Sequence, residues 1–429
     1  MTRLLFQFVF LFACLAVMAG CEKTSPAGFR FNEVEWIKQE NTHRDEGEGF
    51  DEAYRDEIGN ILTALFGTPD APRFPSFMVG DDKLAEQIVS LDNLRMAAGP
   101  TPVDKRDARS GLFREHCVHC HGITGDGAGP TALELNPYPR DFRLGKFKFK
   151  STPLRQSPTD HDLTKILENG IPGTAMPSFR TLPEEEIKAL VQYVKYLTMR
   201  GQMERYLMSM LAELDDDGLS FINLSLISES KDGKPPSDDA LEEFEDQMYT
   251  VIADGFIDGI LARWLKPDKK VTEIPAAPTE FVQTHADHQA FVDRGRELFF
   301  AKGNCMQCHG DTGVGDGQLS TFDDWTNDWK TANVDLLDPA TYEEYTNAGV
   351  LPARPIRPRN LNIPIYRGGD RPNDLYLRLA NGIEGTPMPA SSAMTSDETW
   401  AVVAYVESLP FIRDALVVPK PINDQQVAQ

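Results

Sequence analysis

The chain has 429 residues, too many for one compact core and enough for two or three domains. Its 41% hydrophobic and 25% charged residues exclude both wholesale disorder and a many-span membrane protein. A net charge of −23 excludes nucleic acid as a partner, since phosphate binding needs a Lys/Arg surplus, and favours basic protein partners, although solubility alone accounts for such a charge equally well.

Residues 1–20 read as an export signal: Arg3, an apolar run from Leu4 to Met18, then small Ala19 and Gly20. The run is too short for a permanent anchor, which needs about 20 apolar residues. Met18-Ala19-Gly20-Cys21 resembles the bacterial lipoprotein processing site, departing from it at Met18, where Leu is usual. The resemblance implies a lipidated Cys21 that anchors an exported protein on the periplasmic side of a bacterial membrane. Ordinary cleavage would leave Cys21 unmodified. Residues 21–104 form an N-terminal extension of unknown role with helical patches, notably Tyr54, Ile58, Ile61, Leu62 and Leu65, ended by Gly67 and Pro69.

Two copies of one design follow, at residues 105–200 and 289–412. Cys117-Val118-His119-Cys120-His121-Gly122 matches Cys305-Met306-Gln307-Cys308-His309-Gly310, and each precedes a Gly/Asp-rich loop. Pro139-Arg140-Asp141-Phe142 answers Pro358-Arg359-Asn360-Leu361. Asn169 to Pro177 matches Asn381 to Pro389 at seven of nine positions, and Tyr193 and Tyr405 both lie seventeen residues after their Met. Each copy reads as short helices between Gly/Pro-rich loops. Gly111-Leu112-Phe113 closes a helix in the first copy and Gly295, Leu298 and Phe299 do so in the second. The closing helices run from Glu184 to Leu197 and from Glu398 to Leu409.

Residues 201–288 read as a packed connector, with an acidic stretch from Glu229 to Asp239 and an amphipathic helix aligning Leu241, Phe244, Met248, Ile252, Phe256 and Ile260. The second copy spans 79 residues from His309 to Met388 against 55 from His121 to Met176 in the first. The excess lies in an insertion near 318–356 holding Trp325, Trp329, Tyr342 and Tyr345, expected to pack on its own domain rather than dock a partner. A tail, 413–429, ends the chain.

Cysteine usage decides the chemistry. Cys14 lies inside the signal and Cys21 at its end, so the other four form two C-x-x-C pairs and none is left for a disulfide. Two cysteines three apart on one helical turn can reach the two vinyl groups of a porphyrin, with the following His beneath the iron. A thioredoxin-like pair or half a zinc site would explain neither the immediate His nor the helical context. The chain is therefore expected to carry two covalently attached haem c groups, at Cys117/Cys120/His121 and Cys305/Cys308/His309. Met176 and Met388, in equivalent Gly-Thr-x-Met-Pro turns, are the candidate sixth ligands. His116, His119 and His161, unrepeated in the second copy, read as surface or packing residues.

Each repeat resembles a class I cytochrome c domain on its haem motif, Met-Pro loop and closing helix, over roughly half the chain. The resemblance implies an all-α fold, His/Met axial ligation and outer-sphere electron transfer. Tyr193 and Tyr405 are then core aromatics. Arg140 and Arg359 stand where a guanidinium can pair with a haem propionate, or brace a loop. Lys146-Phe147-Lys148-Phe149-Lys150 reads as a solvated face with two buried rings more readily than as a docking spot. The expected function is an electron relay, not an enzyme, between a quinol-oxidising complex or dehydrogenase and a terminal oxidase or reductase. It is either free-standing or a subunit of a membrane complex. A di-haem enzyme, such as a peroxidase or sulfur-compound oxidoreductase, is the alternative, and would need one iron with a displaceable ligand.

Overall fold

The structure is a computed structural model that describes residues 27–43, 49–76, 82–99, 101–104, 107–109, 111–211, 221, 237–317, 322–330 and 339–411. The segment expected to be an export signal, Cys21, the tail 413–429, most of the acidic stretch and parts of the insertion lie outside the described residues. Among the described residues no helix is long and apolar enough to cross a membrane. The architecture is all-α, with one small antiparallel ribbon, β1 (Thr101–Asp104) and β2 (Asp107–Arg109).

The first hydrophobic core runs from Trp36 to Trp264 and so takes in the N-terminal extension and the end of the connector. Helix α1 (Glu33–His43) seats Trp36, and α2 (Ala53–Phe66) buries Tyr54, Ile58, Ile61, Leu62 and Leu65 before Gly67 caps it. The i, i+3/i+4 spacing of those side chains is why one face of α2 enters the core. After α3 (Asp82–Ile88) and α4 (Leu91–Ala98), the helix expected to close at Phe113 is only α5 (Leu112–His116). Helix α4 packs on the closing helix in its place, and Gly111 sits where a side chain would begin 2.2 Å from the Ala98 carbonyl carbon.

That closing helix, α8, follows α6 (Val118–His121) and α7 (Asp160–Asn169) and spans Glu184–Ser209, well past the expected end at Leu197. Nothing after Leu197 stops it. Gly201 serves close packing rather than termination, because a Cβ there would stand 2.5 Å from Cβ of Arg143. The connector helix α9 (Asp238–Ile252) passes into a π-helical stretch over Ala253–Leu261, then a turn, Ala262–Trp264. Phe256, Ile260 and Trp264 are buried in the first core; the side chains of Leu241, Phe244, Met248 and Ile252 lie outside the described residues.

The second core, from Val292 to Leu409, is separate from the first and is covered in part by Ile274 and Phe281 of the connector. Helix α10 (His288–Phe300) crosses α15 (Ser396–Ser408) at Gly295, with α11 (Met306–His309) and α14 (Pro372–Asn381) completing the domain. A capping box between Thr395 and Glu398 starts α15. The two copies share a core contact: Tyr193 lies against Phe113 at 5.0 Å between ring centroids, and Tyr405 against Phe299 at 5.4 Å. Both tyrosines are buried, as expected.

The insertion contributes α12 (Asp324–Lys330) and α13 (Pro339–Asn347) and corrects one expectation: it packs on the other half of the chain. Trp329 and Tyr345 are fully buried in a small cluster with Val34 and Ile37 of α1. Trp325 Nε1 donates to the Pro139 carbonyl at 3.0 Å, and the Arg354 guanidinium carbon sits 3.6 Å over the Tyr138 ring. A run of aromatic side chains this large needs more apolar surface than one small domain offers, and α1 supplies it.

Candidate haem sites and the interface between them

Each C-x-x-C-H run forms one tight helical turn. His121 N donates to the Cys117 carbonyl at 2.8 Å and His309 N to the Cys305 carbonyl at 2.9 Å, which brings the two thiols and the imidazole onto one side. None of the four cysteines is in a disulfide. Burial pushes the Cys117 thiol up to about 12 and the Cys305 thiol up to about 11, so both stay neutral.

The imidazoles are held alike. His121 Nδ1 is 3.1 Å from the Arg140 carbonyl and His309 Nδ1 is 3.1 Å from the Arg359 carbonyl. A carbonyl only accepts, so Nδ1 carries the proton and Nε2 keeps its lone pair. Both rings are only partly exposed. The protein packed around His121 desolvates its cation and lowers its pKa to about 4, and burial lowers that of His309 too. Both are neutral near pH 7 and able to ligate a metal. Phe142 stacks on His121 at 4.7 Å; its counterpart is Leu361, so this support exists in one copy only.

The methionine turns are twins. Ile171 N donates to the Met176 carbonyl at 3.1 Å, and Met176 N to Thr174 Oγ1 at 3.1 Å; Ile383, Met388 and Thr386 repeat this at 3.1 and 3.2 Å. Gly170 and Gly382 enter the turns at φ +65° and +70°, a region other residues resist. Each Met is partly buried against its own core. Two neutral imidazoles with a free Nε2, paired thiols and two braced thioethers fit covalent haem as a donor set.

His119 and His161 are exposed, and His116 packs against Phe179 at 5.8 Å. Arg140 forms an ion pair with Asp324 of the insertion, and Arg359 Nε donates to the Ile365 carbonyl at 3.0 Å. What the Pro-Arg motif shares between copies is thus its backbone carbonyl. That role leaves no mark on side-chain identity, and sequence reasoning missed it. It missed equally the carboxylates of Asp126 and Asp316, which lie against Gly122 and Gly310 from non-equivalent positions.

Lys146 to Lys150 is not a solvated face. Lys148 pairs with Asp324 at 2.9 Å, Lys150 with Glu384, Phe147 is buried, and Phe149 lies against Gly368. It docks the second domain. Lys165 pairs with Asp374, and Arg205 with Asp328 at 3.2 Å. Between the domains lies a cavity of about 520 Å³, lined among others by Lys150, Lys165, Asp374 and Arg378.

Burial alone would raise the carboxyls of Asp324, Asp328 and Asp374, but their Lys and Arg partners more than offset it and hold all three below the usual 3.8. Carboxyls depressed by folding stabilise the folded form fully above pH 3.8 and lose that contribution as pH falls through their lower folded values. The interface is therefore expected to stay closed to about pH 4 and to open only below it. Small-angle X-ray scattering checks this, and an expansion between pH 7 and pH 5 would contradict it.

Known proteins place these sites in a class. The family model for cytochrome c oxidase, cbb3-type, subunit III matches residues 105–194, and the cytochrome c family model matches residues 292–410. Both segments are cytochrome c-type domains, which bind c-type haem. The two domains, one in each half of the chain, support a di-haem c-type cytochrome. A chain of the Kuenenia stuttgartiensis reducing HAO-like protein complex is similar at 22% identity, with a TM-score of 0.42, over 70% of this chain and 93% of that one. No curated protein matches the chain.

Proposed function

We propose that the chain relays electrons through two haems in a periplasm-facing respiratory chain. Cys117 and Cys120 would hold one haem and Cys305 and Cys308 the other, with His121 and Met176 as the residues that would ligate the first iron and His309 and Met388 the second. When bound, haem supplies reversible one-electron exchange at iron. The residues supply the rest: neutral imidazoles fixed in one tautomer, thioethers braced by twin turns, and carbonyls that orient each ring. In this reading Arg140 and Arg359 would pair with haem propionates, a role Arg140 would share with its bond to Asp324.

The observation that carries this reading is the equality of the two methionine turns, hydrogen bond for hydrogen bond. An enzyme needs one iron with a displaceable ligand, and two permanent Met ligands favour a relay. Lipidated Cys21 would hold the protein at the membrane, between a quinol-oxidising complex or dehydrogenase and a terminal oxidase or reductase. The match of residues 105–194 to an oxidase-subunit family supports a place in such an assembly over a free carrier. Redox titration of the haem-loaded protein under carbon monoxide tests the function. The expected result is two reversible one-electron waves with Met-ligated spectra and no ligand binding; a carbon-monoxide-binding haem would mean a catalytic domain.

A further inference from the structure

The residues that surround the two ligand sets meet across the interface, and reciprocally. Arg140, whose carbonyl holds His121, pairs through its side chain with Asp324. The Asp324 Cβ and Oδ2 atoms lie 3.2 and 3.3 Å from where a side chain on Gly385 would begin, and Gly385 belongs to the Met388 turn. In the other direction Arg359, whose carbonyl holds His309, brings Nη2 to 3.2 Å from the same point on Gly173, in the Met176 turn. Arg359 thus reaches the other domain's methionine turn directly and Arg140 reaches it through Asp324, an arrangement neither repeat could make alone.

We infer that Asp324 is a positioning residue through which the two redox centres sense one charge cluster, and that it sets both of their reduction potentials. This rests on the ligand assignment proposed above. Asp324 is flanked by Arg140 and Lys148, the latter at 2.9 Å, and all three side chains are at most 17% exposed. Water screens charges poorly in such a place. Arg140, Lys148 and Asp324 together carry one net positive charge, with Asp323 beside them, and Asp324 lies against one centre's methionine turn while bonded to the other's histidine anchor. Neutralising Asp324 adds positive charge beside both centres, and positive charge favours the reduced, less positive iron. Neutralising Lys148 does the reverse.

The test is potentiometric titration of the full haem-loaded protein as wild type, Asp324→Asn, Lys148→Gln and Asp328→Asn. Asp324→Asn is expected to raise both midpoints and Lys148→Gln to lower both, each by roughly a tenfold change in the reduction equilibrium, about 59 mV for one electron. Asp328→Asn also loosens α12 and neutralises a carboxylate, by removing its pairing with Arg205 and Lys38, but the pairing it breaks involves neither a methionine turn nor a histidine anchor, so it should shift both midpoints less than Asp324→Asn does. Mere loosening would move the two cluster variants in the same direction, which overturns the proposal, as does a shift confined to one haem. Where Asp324→Asn fails to fold, Lys148→Gln decides alone: unchanged midpoints overturn the proposal. A wild-type protein lacking two Met-ligated haems would instead overturn the ligand assignment.

Discussion

Replacing Met388 by Ala should remove half the near-infrared sulfur-to-iron absorbance of the oxidised protein, and Met176→Ala the other half. Each substitution leaves one iron with an open position, so each variant should bind one equivalent of carbon monoxide where the wild type binds none. The affected haem should also fall in potential, because Met opposite His raises it. The turns themselves need not collapse. Their hydrogen bonds run through the Thr174 and Thr386 hydroxyls and through backbone groups that Ala retains. A full-strength band in either variant would disprove that Met's ligation.

The second large effect belongs to Gly295. In an ordinary helix interior, Gly→Ala stabilises by about 0.5–1 kcal/mol. Here a Cβ would stand 1.9 Å from the Ala401 carbonyl oxygen and 3.0 Å from the Tyr405 Cβ, and neither is the free end of a flexible chain. Helices α10 and α15 would have to part, at a cost of about 3 kcal/mol, at the upper end of what overpacking does. Gly59, inside α2, has nothing within 4 Å of its would-be Cβ, so Gly59→Ala should follow propensity and stabilise. Thermal unfolding of the two haem-loaded variants should therefore move in opposite directions. If Gly295→Ala also raised the melting temperature, the close crossing would be wrong.

The parts of this molecule legible in its sequence are those written in local spacing. The Cys-x-x-Cys-His turns, the nine-residue methionine turns and the face of α2 each need only residues within a few positions, and periodicity records them. The interface left no such record. Asp324 and Arg140 are far apart in the chain, and neither shows in its neighbours that it will be buried against the other. The Lys146–Lys150 run alternates charge and aromatic ring, and it reads as solvated until an acidic partner surface is supplied. Gly201 illustrates the opposite failure: a residue that commonly ends helices stands inside one here, where Arg143 leaves no room for a Cβ.

The insertion also gives the molecule an order of assembly. A chain is made from its N-terminus, so the face bearing Tyr138, Arg140, Lys148 and Arg205 is complete before Asp324 and Asp328 exist. Until residues 322–355 follow, that face is a cationic surface without its anionic counterpart, and α1 lacks the tryptophan and tyrosine that cover Val34 and Ile37. The second domain, whose core is separate from the first, brings with it the piece that closes the first.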